Sequence, residues 1–158
     1  MDLTERLYFE PRDCPVISLT GGYMSDEQET VYTLIGGEKT IKTLVDTFYA
    51  KVEADEHLRG VFPDDLEPGK RWQYLFLMQL FGGPSTYNDE RGHPRLRMRH
   101  MPFPIDAEAG RLWLQYMLES LDEVGIEEPA RTTMRQYFQR AAPHMINIHS
   151  PGDDIHYE

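Results

Sequence analysis

Cysteine is nearly absent from this chain of 158 residues, which contains only Cys14. A lone cysteine excludes an intrachain disulfide and any metal site built from several thiolates. It is consistent with a reducing compartment, and we expect a cytoplasmic protein. A chain of this length forms one domain, which buries enough surface to fold without a disulfide scaffold.

Basic residues are also scarce, since 16 Lys and Arg face 27 Asp and Glu and give a net charge of −11. Nucleic acids and anionic membranes attract dense positive charge, so we expect neither as a partner. No apolar run approaches the roughly 20 residues of a membrane span. The first residues, Met1 to Arg6, lack the basic and apolar regions of a signal peptide. The oligomeric state stays open between monomer and homodimer.

Strand-like alternation is missing as well, and the chain reads as all-α. Pro and Gly punctuate residues 1–24, an N-terminal extension, and residues 150–158, a C-terminal tail; residues 25–149 form the domain. Within that domain the apolar spacing predicts helices at about 27–35, 39–53, 57–61, 70–81, 93–101, 107–123 and 129–146.

Two of these helices have a well-defined apolar face, which we expect to be buried. In 39–53 the face consists of Ile41, Leu44, Val45, Phe48, Tyr49 and Val52. In 107–123, with Asp106 as its N-cap, the face consists of Ala109, Leu112, Trp113, Tyr116, Met117 and Leu121. The segment from Gly82 to His93 reads as a loop, and the next helix begins at His93-Pro94.

Of the six histidines, His100 has the most informative position, because it lies in the last turn of a short helix that Pro102 ends. There its Nδ1–H can reach the carbonyl of Leu96 and leave Nε2 free to bind a metal. The alternative is a histidine that simply caps a helix C-terminus, which the helix dipole favours.

Three arginines, Arg95, Arg97 and Arg99, precede this histidine. They form either a solvated basic patch or a set of donors for the carboxylates of a bound ligand.

Tyr49, Gln73 and Trp113 are hydrogen-bond donors on otherwise apolar helix faces. Aromatic residues at such positions are usually core. Three buried donors that converge would instead make a polar spot inside an apolar pocket, which is typical of a site for a small polar ligand.

Several blocks of the sequence resemble the group II truncated haemoglobins. The specific blocks are Phe81-Gly82-Gly83-Pro84 followed by Tyr87, and the run HPRLRMRHMPFPI from His93 to Ile105. Gly36-Gly37, Phe48-Tyr49 and Leu112-Trp113 agree with them, and the resemblance extends over about residues 27–148. It implies a two-over-two helical sandwich, the truncated globin fold.

The resemblance also implies one haem b (iron protoporphyrin IX) per chain, with His100 as the proximal iron ligand. Tyr49, Gln73 and Trp113 would be the distal residues that stabilise the iron's ligand. The haem contacts that it implies are Phe62, Arg71, Phe76, Leu77, Leu80, Tyr87, Leu96, Arg99, His100, Phe103 and Trp113.

Two positions depart from the usual pattern of this family. Gly69 stands where globins usually carry the distal histidine, and Trp72 stands where related proteins often have a basic residue near a haem propionate. The resemblance therefore implies that Arg99, with Tyr87 or Arg71, carries more of the propionate contact.

The function implied is binding of O₂ and other small ligands such as NO, CO or sulfide. The distal donors would retain O₂ for redox chemistry, such as NO dioxygenation or a peroxidase-like reaction, with a reductase as partner. The alternative is a carrier or sensor that binds O₂ or sulfide without turnover.

Overall fold

The computed structural model describes residues 29–149, all of whose regular elements are helices. The predicted extension 1–24 and tail 150–158 lie outside this range. The helices are α1 (Val31–Leu34), α2 (Glu38–Ala54), α3 (Glu56–Arg59), α4 (Glu67–Leu80), α5 (Thr86–Arg91), α6 (Leu96–His100), α7 (Ala107–Val124) and α8 (Ala130–Met145). Within residues 29–149, no helix combines the length and apolar character that crossing a membrane requires.

The four long helices pack as two pairs, and this confirms the two-over-two sandwich. Helix α2 packs on α4 and α7 packs on α8, while a contact between α2 and α7 joins the pairs. All six residues of the apolar face predicted for α2 are buried. The core between the pairs positions side chains of α2, α4 and α7 around one region of the molecule.

The buried face predicted for α7 is only partly correct. Ala109, Leu112, Met117 and Leu121 are buried, but Trp113 and Tyr116 keep some exposure. Both residues also have a polar atom: the Tyr116 hydroxyl donates to the Asp55 carboxylate at 2.6 Å. Asp106 caps this helix as predicted, because its Oδ1 accepts the Ala109 N–H at 2.7 Å.

Two predictions for the connection after α4 were wrong. The segment read as a loop contains α5, which is anchored by the buried ring of Tyr87. The next helix begins at Leu96 and not at His93-Pro94, because Arg95 adopts a left-handed backbone with φ of 42°. A helix of six residues with one buried side chain has too few turns to show an apolar period.

The Gly82-Gly83-Pro84 segment that ends α4 requires glycine at position 82 for steric reasons. Gly82 has φ of +98°, and a Cβ there would lie 2.5 Å from the Cβ of Thr30. A side chain at this position therefore collides with the residue that caps α1, in addition to the cost of the backbone conformation.

Candidate functional site

His100 ends α6 with its ring turned back along the helix. Its Nδ1 lies 2.6 Å from the carbonyl oxygen of Leu96, which confirms the predicted contact. Since a carbonyl only accepts, Nδ1 is the protonated nitrogen and Nε2 carries the lone pair of the neutral ring. Burial lowers the pKa of His100, the charge of Arg91 lowers it further, and the Leu96 bond acts in the opposite direction. The ring is thus held in the neutral form that a metal ligand needs, whereas a charged helix cap needs the protonated form.

Arg99 braces the chain that leads into α6. Its Nε donates to Pro94 O at 2.8 Å, and its Nη2 lies 3.2 Å from Arg91 O and 3.4 Å from His93 O. Its neighbours Arg95 and Arg97 are exposed. The basic run is therefore divided between a guanidinium that bonds to backbone and two that face solvent.

Tyr49 of α2 and Trp113 of α7 meet on the same ring, that of Phe48. The Phe48 centroid is 5.5 Å from that of Tyr49 and 5.3 Å from that of Trp113, both edge to face. The ring of Phe62 packs edge to face on the ring of Tyr49, with 5.8 Å between their centroids. Burial, together with the charge of Glu67, raises the pKa of Tyr49, so its hydroxyl stays protonated and can donate.

Helix α4 faces this aromatic group with Gly69 and, one turn later, Gln73. A Cβ at position 69 would lie 3.0 Å from the Tyr49 hydroxyl, so the glycine lets that hydroxyl approach the α4 backbone. The Nε2 of Gln73 is buried and has no hydrogen-bond partner among residues 29–149. A buried amide donor without a partner costs about 1–3 kcal/mol, which a bound polar ligand removes.

The remaining predicted contacts with a bound haem come from helices α4, α5 and α6 and from the turns that follow α3 and α6. Leu77 and Tyr87 are buried, and the half-buried ones are Phe62, Phe76, Leu80, Leu96 and Phe103. The Tyr87 ring lies 5.6 Å from that of Phe76, so α5 contacts the α4 face. These apolar and aromatic walls suit a large flat cofactor.

Trp72 and Arg71 lie at the edge of this region. The Trp72 ring is flanked by two guanidinium groups, that of Arg91 at 4.6 Å and that of Arg71 at 5.0 Å. Arg71 also pairs with Glu90 at 2.6 Å. Sequence reasoning did not single out Arg91, although it begins the Arg-Gly-His-Pro block that precedes α6.

The residues present fit a haem. A neutral imidazole with a free lone pair lies on α6, while hydroxyl, indole and amide donors lie on α2, α7 and α4. The buried Gln73 amide, which has no hydrogen-bond partner within residues 29–149, is the observation that most directly indicates a polar ligand in this region.

Comparison with known proteins agrees. A sequence family described as bacterial-like globin matches residues 30–147. The chain is 43% identical over 111 residues to a group 2 truncated hemoglobin of Bacillus subtilis, covering 70% of this chain and 84% of that protein.

Solved structures give the same result. The hemoglobin of the thermophilic phototrophic bacterium Chloroflexus aurantiacus is 58% identical with a TM-score of 0.74, covering 76% of this chain and 99% of that one. The group II truncated hemoglobin of Bacillus anthracis is 38% identical with a TM-score of 0.76, covering 82% and 100%. The chain therefore belongs to the bacterial-like globins as a truncated haemoglobin of group II, a family that binds haem and small gaseous ligands such as O₂.

Proposed function

We propose that the chain holds one haem b with His100 Nε2 as the proximal iron ligand. The observation that carries this proposal is the 2.6 Å contact between His100 Nδ1 and Leu96 O, because it fixes the tautomer and the ring orientation. Phe62, Phe76, Leu77, Leu80, Leu96 and Phe103 would pack on the porphyrin faces, and Tyr87, Arg71 and Arg99 would lie near its carboxylates.

Tyr49, Gln73 and Trp113 are the donors on the distal side of this site. A bound haem would supply iron that binds O₂ reversibly, and these side chains would donate hydrogen bonds to the ligand. Each neutral hydrogen bond contributes roughly 1 kcal/mol. Two or three such bonds slow ligand release by roughly tens- to hundreds-fold, since about 1.4 kcal/mol is tenfold.

Slow release suits retention of O₂ for redox chemistry better than transport. We propose oxidation of NO to nitrate as the reaction, with use of peroxide as a related activity. Each NO oxidised by O₂ to nitrate takes one electron from a reductant, so a reductase is the partner that sustains turnover. NO and CO are also expected to bind as ligands at the same place.

An absorption spectrum of the purified protein, oxidised, reduced and with CO, tests haem binding and coordination together. We expect a Soret band at one haem per chain and a reduced form that binds CO. Protein that shows no Soret band after haem supplementation would sink the proposal.

NO consumption separates the reaction from simple binding. The oxygenated protein with a reductant is expected to consume NO over many turnovers. Consumption of one NO per haem, with no recycling when reductant is present, would establish a non-catalytic carrier or sensor of O₂ or sulfide.

A further inference from the structure

Asn147 lies just beyond α8 and reaches back to the turn that follows α6. Its Oδ1 accepts the Ile105 N–H at 2.9 Å, and its Nδ2 donates to His100 O at 3.1 Å and to Phe103 O at 2.8 Å. One side chain thus makes three bonds to the backbone of the turn from His100 to Ile105.

The three hydrogen-bond partners of Asn147 are compatible with only one orientation of its side-chain amide. Ile105 N–H only donates, and the two carbonyls only accept, so a flipped side chain would lose all three bonds. The Asn147 N–H and the Ile148 N–H add two bonds to Ile105 O, at 2.9 and 3.0 Å.

The carbonyl of His100 is thereby used fully. It accepts from Phe103 N at 3.0 Å and from Asn147 Nδ2, so its backbone is fixed on both sides. Helix α6 has five residues and begins after a left-handed residue, Arg95, and so gives His100 little support of its own.

The residue before Asn147, Ile146, packs on the long helix α7. A Cβ at Gly110 of α7 would lie 2.9 Å from Cγ1 of Ile146, so the Ile146 side chain rests on the α7 backbone where only glycine leaves room. The position of Asn147 is therefore set by α7 and α8.

We propose that Asn147 is a positioning residue for His100, which fixes the backbone of that histidine and so the direction of its Nε2 and the length of its Nδ1 bond to Leu96. This inference rests on the proposed iron ligation by His100. A stronger Nδ1 bond makes the imidazole a better ligand, so a looser turn weakens it.

Asn147→Asp is the sharpest variant, because it keeps the shape and the acceptor for Ile105 but replaces the donor with an oxygen that faces two carbonyls. Ile148→Ala is the matched control, since it trims the exposed next side chain and leaves all five bonds in place. The haem-loaded proteins are compared at neutral pH by resonance Raman spectroscopy of the ferrous, ligand-free form and by haem transfer to apomyoglobin.

We expect the iron–histidine stretching band of Asn147→Asp to broaden and move to lower frequency, and haem loss to accelerate roughly tenfold. Ile148→Ala is expected to match wild type. Asn147→Ala repeats the measurement without a new charge if the aspartate variant does not fold.

An unchanged stretching band in Asn147→Asp, or in Asn147→Ala where the aspartate variant does not fold, overturns the proposal. This holds even where the variant is less stable, because a purely structural role lowers stability without altering the iron–histidine bond. A wild-type band that survives His100→Ala overturns iron ligation by His100 instead, so the two failures are distinguishable.

Discussion

The proposed distal and proximal sides of the candidate site are built in different ways. On the distal side, Tyr49, Gln73 and Trp113 project from long helices, and aromatic packing around Phe48 holds two of them. On the proximal side, His100 sits on a helix of five residues held by hydrogen bonds from Arg99 and Asn147 to backbone carbonyls. Long helices position donors through the core, whereas a short helix needs polar braces because it buries few side chains.

The largest expected effect is on the proximal side. His100→Ala removes the one imidazole of α6, so stable haem retention should be lost. Titration with haem, followed by the Soret band after gel filtration, measures this. His93→Ala is the control and should retain haem; loss of haem from His93→Ala but not from His100→Ala would show that the proximal assignment is wrong.

The distal side should control ligand release while leaving haem in place. Tyr49→Phe removes one hydroxyl donor, and Trp113→Phe removes the indole N–H; each should accelerate O₂ dissociation by roughly fivefold. Stopped-flow mixing of the oxygenated protein with a ligand competitor measures the rate. Tyr116→Phe removes a hydroxyl that bonds to Asp55, away from this group, and should leave the rate unchanged. Equal rates in all four proteins would rule out the distal network.

A smaller effect on the proximal side distinguishes the two interpretations of Arg99. Arg99→Lys keeps the charge but cannot bond to the carbonyls of Arg91, His93 and Pro94 together. If bracing matters most, haem loss accelerates several-fold and the free energy of unfolding falls by about 1–2 kcal/mol. Haem-transfer kinetics and urea unfolding of the apoprotein measure these quantities. A lysine variant that behaves as wild type, beside an Arg99→Met variant that does not, assigns the role to charge near a haem carboxylate.

The smallest expected effect concerns stability and arises away from both sides, at the N-terminal end of α7. His57 Nε2 pairs with Asp106 Oδ1 at 3.1 Å, and that hydrogen bond raises the pKa of His57 above 6.5. The pKa of Asp106 is lowered by the Ala109 N–H and, next, by the same bond to His57. Because the folded pKa of His57 is the higher one, its contribution to stability is complete below pH 6.5 and is lost as the pH rises through the folded value.

Thermal unfolding between pH 6 and 9 measures this contribution. His57→Gln should flatten a shallow fall in Tm with rising pH, while His144→Gln should leave the fall as in wild type. An identical slope in the His57 variant would show that the pair does not contribute.

The sequence predicted the long helices, the α2 face and the His100–Leu96 contact, because these depend on residues within one or two turns. It missed α5, placed the start of α6 too early and assigned too much burial to Trp113 and Tyr116. It also gave no role to Asn147 or Arg91. Helix α5 has too few turns to show an apolar period, and the left-handed conformation of Arg95 delays the start of α6. The role of Asn147 depends on a neighbour far along the chain, since its contact with Ile105 spans 42 residues.

The sequence by itself determined an all-α acidic domain, its family and the side chains that can donate or ligate, because apolar period, charge and motif spacing are local properties. The tertiary structure decided how those side chains are held. Phe48 joins Tyr49 to Trp113, Gly69 admits the Tyr49 hydroxyl, and Asn147 fixes the backbone of His100. Each depends on two helices that meet in space, and the distance between them is set by packing of the whole core.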